Sequence, residues 1–424
     1  CVTFVEVQDP NGACSGSRPS SIAGTIKNGS GAGVSNVNVA LSGNMTTNVV
    51  TGVDGSYLFN SLVRGNDYTV TPHRDDDVRN GVTTFDLTLI SKHILNVQPL
   101  DSPYKIIAAD ANNSRSVTTL DLVLLRKVIL HVEDQLPNNT SWRFVDKNFV
   151  FNDPAKPFAT IFNEVKSFND IIGDQIADFV AIKVGDVNGS AKPNQLGASI
   201  DDRSFNGTLN FLVDDQQIIA GEEVKVAFKS TDLASALGYQ FTLNFDRKAL
   251  ELVNVIGGVA KEENFGLTHL DEGVVTTSWN GEATSEDVFT LVFKAKATGH
   301  LSQFFSVDSK YTVAEAYGKD ASLMNVAVKF NSGVVATSEF GLYQNTPNPF
   351  KGATVIGFNL PEASFGTLTI SDVSGKVLKV IKGDFNKGYN QVSVNSGEFS
   401  QAGVMYYQLE TATHTATKKM IIIE

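Results

Sequence analysis

The chain carries two hydrophobic rhythms, and they occupy different stretches. Across residues 20–72 and 205–332 apolar and polar residues mostly alternate, as in SIAGTIKN, NVNVALSG, EVKVAFKST and ALGYQFTLNFD. A period of two puts every second side chain on one face, and these runs are broken by Gly, Asn and Asp turn formers, so each stretch predicts a β-sandwich. Between the two lies a helical rhythm that occurs twice. Residues 75–95 (DDDVRNGVTTFDLTLISKHIL) and 110–130 (DANNSRSVTTLDLVLLRKVIL) align without gaps at an offset of 35. Val82, Thr83, Thr84, Asp86, Leu87, Leu89, Lys92, Ile94 and Leu95 return as Val117, Thr118, Thr119, Asp121, Leu122, Leu124, Lys127, Ile129 and Leu130. The second helix is apolar on nearly all sides, so it needs cover on more than one face.

Each repeat opens with oxygen-bearing residues at alternate positions. In the second copy Asp110, Asn112 and Ser114 stand at positions one, three and five of a twelve-residue loop. Ser116 would offer its backbone carbonyl at position seven, and Asp121 closes the loop. Calcium takes six to eight oxygens, and this spacing wraps them around one ion. In the first copy Asp75, Asp77 and Asp86 match, but position five is Arg79, whose cation would repel calcium, so weaker binding is expected there. Position six of the second loop is Arg115 where glycine would ease a left-handed turn. A competing reading has Thr83 and Thr118 capping helices, with Asp86 and Asp121 in the first turns. A third fragment, Gly185-Asp186-Val187-Asn188-Gly189-Ser190, has the loop opening without a following helix. Asp186, Asn188 and Ser190 either supply oxygens to a further ion or form a turn.

The paired loop-helix segments, with a short Asp closing the loop, resemble a dockerin. That resemblance implies calcium, a cohesin-type protein partner, and docking through Thr119, Leu120, Arg126 and Lys127. Residues 20–72 resemble the carboxypeptidase-regulatory-like, prealbumin-like family through Gly24, Val37, Val39, Leu41, Asp54, Gly55, Tyr57, Phe59, Tyr68 and Pro72. Residues 205–332 resemble a cohesin through Ala220–Glu222, the strand Val224–Phe228, and Gly238, Tyr239, Phe241, Leu243, Phe245 and Asp246. The last segment is similar to the type A C-terminal sorting domain of the type IX secretion system. Tyr343, Gln344, Asn345, Pro347, Asn348, Pro349 and Phe350 carry the first motif. Ile370, Asp372, Gly375, Gly388, Gly403, Tyr406, Tyr407, Lys418 and Lys419 carry the rest. It implies export to the outer cell surface or medium and engagement of the secretion machinery.

The expected architecture is mainly β and multidomain: three sandwiches plus one small helical, dockerin-like calcium module. The boundaries read as a tail and linker at 1–18, then modules at 19–72, 73–200, 204–332 and 340–424. The aromatic segment 136–184 counts as an elaboration of the helical module, with no fold assigned. A net charge of −12 over 424 residues argues against nucleic acid, which needs a basic face. No apolar run is long enough to span a membrane as a helix. No signal peptide is visible, so the chain reads as the C-terminal part of something longer. Cys1 and Cys14 are the only cysteines and are expected to pair as a small disulfide loop, with a lipid-modified Cys1 as the alternative. The six histidines are scattered, and no nucleophile elbow or phosphate loop occurs, so no enzymatic site is expected. Trp279 is expected as a core residue or an edge contact and not as a sugar platform.

Two functions fit. One is a calcium-stabilised adhesion or assembly module in which dockerin-like and cohesin-like segments pair, within one chain or between chains. The other is a passive stalk and anchor for an upstream hydrolase or carbohydrate-binding domain.

Overall fold

Alternating runs pair into sheets when each can bury one face, and here the pairing partners are often far apart in sequence. The computed structural model describes residues 19–194, 205–332, 335–337, 340–345, 347–385, 388–399 and 402–423. Cys1 and Cys14 lie outside the described residues. The chain divides into two compact units: 1–82, 89–125 and 135–200 form the first, and 83–88, 126–134 and 201–424 the second.

The first unit opens with β1 (Ser20–Asn28), β2 (Asn38–Gly43), β3 (Thr47–Val50), β4 (Ser56–Leu62) and β5 (Tyr68–His73). Three helices follow: α1 (Thr84–Ile94), α2 (Pro103–Ala109) and α3 (Thr119–Ile129). Then come β6 (Trp142–Asp146), β7 (Lys166–Phe168), β8 (Gln175–Ile176) and β9 (Phe179–Lys183). One sheet runs β4-β1-β9-β6 with β8 beside β1, the other β3-β2-β5-β7. Strand β9 lies parallel to β1, with Ile26 opposite Phe179.

This corrects the expected boundary at residue 72. Strands from 136–184 make up four of the nine strands of the first sandwich and are not an ornament of the helices. Trp142, Phe144, Phe179 and Ala181 share one core with Ile22, Ile26, Val39, Tyr57, Phe59 and Tyr68. Gly24 lets the late strands in: a Cβ there would sit 2.0 Å from the Ala177 carbonyl oxygen. The helical segment is therefore an insertion between β5 and β6.

Helix α2 was not foreseen. Its signal is Ser102-Pro103: the serine hydroxyl accepts the Tyr104 N–H at 3.3 Å, and proline takes the first helical position, where no N–H is needed. Helices α1 and α3 end alike. Asn96 and His131 adopt left-handed backbone, and the Val97 and Val132 N–H groups return to the Lys92 and Lys127 carbonyls, both at 2.9 Å.

In the second unit the strands are β10 (Thr208–Val213), β11 (Gln217–Ile218), β12 (Glu223–Lys229), β13 (Ala236–Phe245), β14 (Leu250–Gly257), β15 (Phe265–Gly266), β16 (Val274–Asn280), β17 (Asp287–Ala295), β18 (Gly299–His300), β19 (Phe305–Asp308), β20 (Glu315–Gly318) and β21 (Leu323–Phe330). Their main path is β14-β17-β12-β10-β21-β20-β13-β16-β15. Phe211, Phe228, Tyr239, Phe241, Phe289 and Phe293 fill its core. Trp279 is buried there, stacked on Tyr239 with centroids 5.8 Å apart.

The remaining strands are β22 (Val335–Thr337), β23 (Gly341–Leu342), β24 (Ala353–Leu360), β25 (Ser364–Asp372), β26 (Val377–Phe385), β27 (Gly388–Asn395), β28 (Gly403–Thr411) and β29 (Thr415–Ile422). From β23 on they make two small sheets, β23-β24-β27 and β26-β25-β28-β29. These close on Phe350, Ile356, Phe358, Leu368, Ile370, Tyr407 and Leu409.

Candidate cation loops and a helix-binding sheet face

Loop two folds back on its first carboxylate. Asp110 Oδ1 accepts the Ser114 N–H and Oδ2 the Arg115 N–H, both at 2.8 Å. Asn112 Oδ1 also accepts the Ser114 N–H, at 3.0 Å, and the Ser114 hydroxyl donates to the Ser116 carbonyl at 3.2 Å. Asp121 closes the ring, taking the Ala111 N–H at 2.9 Å on Oδ1 and the Thr118 N–H at 2.8 Å on Oδ2. Arg115 does adopt the left-handed backbone its position demands, φ 64°, and its guanidinium donates to the Phe158 carbonyl at 2.7 Å. Asp110 and Asp121 are both fully buried. Burial pushes the Asp110 carboxyl above the usual range, against the pull of the Ser114 and Arg115 N–H groups, and the Asp121 charge adds to the rise.

A second loop has the same construction. Asp186 Oδ1 accepts the Ser190 N–H at 3.0 Å and Oδ2 the Ala191 N–H at 2.9 Å; Asn188 Oδ1 accepts the Ser190 N–H at 2.8 Å. Position for position, these are the bonds of Asp110 and Asn112. The Ser190 hydroxyl donates to the Gly81 carbonyl at 3.0 Å, as Ser114 does to Ser116. Gly81 is the repeat counterpart of Ser116.

The structure thus differs from the expected first loop. Asp75 and Asp77 are exposed, and Asp75 accepts the Ser141 N–H at 2.8 Å, tying down the entry to β6. Asp86 repeats the work of Asp121, accepting the Thr83 N–H and hydroxyl at 3.0 Å.

Both loops offer carboxylate, amide, hydroxyl and carbonyl oxygens, a hard donor set that suits calcium. Among the described residues no group of three or more His, Cys, Asp or Glu converges. Any cation held here would draw on the neutral oxygens for the rest of its coordination.

The second feature lies wholly in the second unit. Strands β13 and β16 pair with Gln240 opposite Ser278 and Thr242 opposite Thr276. Tyr239, Phe241 and Leu243 point into the core, so Gly238, Gln240 and Thr242 must face outward. Yet Gln240, Thr242, Thr276 and Ser278 are all at most 2 % exposed. The first turn of α1 lies against Gln240 and Ser278 and the end of α3 against Thr276, while the Thr242 hydroxyl donates to the Thr312 carbonyl at 2.9 Å.

The Thr84 N–H donates to Gln240 Oε1 at 2.7 Å, and its hydroxyl meets the Ser278 hydroxyl at 2.7 Å. Thr276 and Thr312 donate to the Leu130 and Ile129 carbonyls, both at 2.7 Å. A helix leaves its first N–H groups and last C=O groups unpaired. This sheet face pairs one such N–H of α1 and the Leu130 carbonyl after α3, and Thr312 on the loop before β20 pairs the Ile129 carbonyl. Phe85 stacks on Tyr317 with centroids 5.2 Å apart, Arg126 donates to Asn280, and His131 packs edge-on to Tyr311.

Residues 209–327 match the cohesin domain family, and residues 346–423 match the secretion system C-terminal sorting domain. Both matched segments are non-catalytic modules. The sorting segment marks the protein for export by type IX secretion, to the cell surface or beyond it. No helix among the described residues is long and apolar enough to cross a membrane.

Similar solved structures include the type II cohesin dyad of the ScaA scaffoldin of Acetivibrio cellulolyticus, 12% identical, covering 39% of this chain with a TM-score of 0.25. This chain spans 61% of that dyad. The seventh ScaB type I cohesin of Pseudobacteroides cellulosolvens is 23% identical, covering 31% of this chain and 91% of its own, with a TM-score of 0.24. A type I cohesin–dockerin complex of Clostridium thermocellum is 14% identical, covering 30% of this chain and 94% of its own, with a TM-score of 0.25. No curated protein matches.

Of the four expected docking residues, Arg126 is on the sheet face. Thr119 and Leu120 are exposed, and Lys127 faces Glu133 at 3.7 Å. Their repeat counterparts Thr84 and Phe85 hold the position expected of Thr119 and Leu120. Glycine at 266 is the signal sequence reasoning passed over: a Cβ there would lie 2.3 Å from the Leu130 carbonyl oxygen.

Proposed function

We propose that this is a secreted, non-catalytic region in which the cohesin sheet holds its own chain's dockerin-like helices as an intramolecular clasp. Calcium in the two loops holds the start of α3 and the approach to α1. One observation carries the reading. The same sheet face takes up the Thr84 N–H at the beginning of one helix and the Leu130 carbonyl at the end of the other, and Thr312, on the loop before β20, takes the Ile129 carbonyl. Polar groups that would each lose water on burial find partners there, which is what a recognition surface requires.

Calcium would be held by Asp110, Asn112, Ser114, the Ser116 carbonyl and Asp121 in loop two. Asp186, Asn188, Ser190 and the Gly81 carbonyl would hold it in the other. The ion would offset the charge of the buried Asp110 and Asp121 carboxylates. The clasp makes the protein a self-locked surface module that needs no second copy.

Hydrogen exchange on the full chain tests this. Residues 84–88 and 128–131 should be protected at every protein concentration across a hundredfold range, with the chain sedimenting as a monomer. Protection that grows with concentration would place the pairing between chains, and absence of protection would end the reading.

A further inference from the structure

Across the covered face the strand register sets three polar residues in one row. Gln240 on β13 lies opposite Ser278 on β16 and opposite Glu315 on β20. Glu315 is 1% exposed, a carboxyl group sunk in a sheet face. Its Oε1 accepts the Tyr317 hydroxyl and, at 3.4 Å, the Gln240 Nε2. The other end of that amide, Oε1, accepts the Thr84 N–H.

A glutamine amide has a donor end and an acceptor end of nearly the same shape, so packing alone does not choose between them. The Glu315 Oε1 behind the amide does choose, because it stands there as the acceptor of the Gln240 Nε2 N–H. The choice matters because a helix N-terminus arrives in front, carrying unpaired N–H groups and the positive end of the helix dipole. With the amide reversed, Gln240 would present N–H to N–H and leave a buried donor without an acceptor.

We propose that Glu315 is a positioning residue: it locks the Gln240 carbonyl outward and so makes this face a reader of helix N-termini that begin with a hydroxyl residue. Gln240 reads the bare N–H and Ser278 the hydroxyl. Tyr317, held by the same carboxylate, supplies the ring on which Phe85 stacks. A segment entering as a strand, or as a helix with proline in place of Thr84, lacks the donor this face is set to meet. The inference rests on the clasp reading above.

The test is residue-resolved hydrogen exchange on the full chain. Glu315→Ala should raise exchange at the Thr84 amide tenfold or more while the amide protons of β13 and β16 stay within twofold of wild type. Glu315→Gln keeps the volume but can turn either end to Gln240. It should fall between wild type and Glu315→Ala at Thr84. Tyr317→Phe leaves the carboxylate in place and should change Thr84 by less than threefold. A Thr84 amide within twofold of wild type in both Glu315 variants overturns the proposal, as does an equal rise at every amide of the face. An unprotected Thr84 in the wild-type chain would instead remove the clasp itself, a result separable from these.

Discussion

The Thr84–Ser278 hydroxyl pair gives the sharpest measure of the clasp. Both side chains are fully buried and their oxygens are 2.7 Å apart. Thr84→Val keeps the shape and the N–H bond to Gln240 but leaves the Ser278 hydroxyl without its partner. A buried polar group stranded in this way costs about 1–3 kcal/mol. Ser278→Ala strands the Thr84 hydroxyl at a similar cost. The double variant removes both groups, so its cost should fall short of the sum by roughly 1 kcal/mol. Exchange of residues 84–88 through local opening reads this directly: about 5- to 150-fold faster in each single variant. The β1–β9 sandwich should exchange at its wild-type rate in all three. Single variants within twofold of wild type, or costs that simply add, would refute the argument that this pair joins helix to sheet.

Three other outcomes follow from the same geometry. Gly266→Ala should cost about 1–3 kcal/mol through overpacking, since its Cβ would lie 2.3 Å from both the Leu130 carbonyl oxygen and Thr276 Oγ1; exchange at residues 129–131 would show it. Calorimetry of the full chain should find two calcium ions, with Asp110→Ala and Asp186→Ala each losing a different one and a chelator lowering protection over 110–118. Glu272 should titrate at about 2, because the Lys310 ammonium and Tyr311 hydroxyl bond its carboxylate. A depressed carboxyl stabilises the fold above its ordinary value of 4.5 and loses that contribution as pH falls toward 2; Lys310→Met should move the NMR midpoint upward.

How much of this could be read beforehand depends on whether a feature is local. The alternation of β1–β5 and of the cohesin strands, the two helices and the sorting segment were all visible, because each is written in consecutive residues. The closure of the first sandwich was not. Strand β9 joins β1 in parallel from the far side of the helical insertion, and nothing near Phe179 points to Ile26. The alternation of Trp142 and Phe144 was a signal that they belonged to a sheet, but not to which one. The loop at Asp186 was visible as a fragment, but its link to the Gly81 carbonyl was not, for the opposite reason. Local alignment offered Asp75 and Asp77, contiguous with the helix, while the turn built like loop two starts at Asp186.

The docking face shows the limit that symmetry imposes. Two copies with Thr84 and Thr119 in the same place present nearly equal candidates, so the repeat alone cannot choose between them. What differs is the next residue, Phe85 in one copy and Leu120 in the other. Only the ring can stack on Tyr317, whose phenol is pushed well above its usual range by burial and by the Glu315 charge. The other helix end differs too: Arg126 reaches Asn280, and its counterpart in the first copy is Ser91. The asymmetry therefore lies in a few side chains laid over a symmetric backbone pattern. The clue to it was in the sheet and not in the repeat. Strands β13 and β16 carry Gly238, Gln240, Thr242, Thr276 and Ser278 on the face turned away from their own core. Small or neutral polar residues on these two strands, with the Glu315 carboxyl beside them on β20, are what a sheet shows where backbone ends cover it.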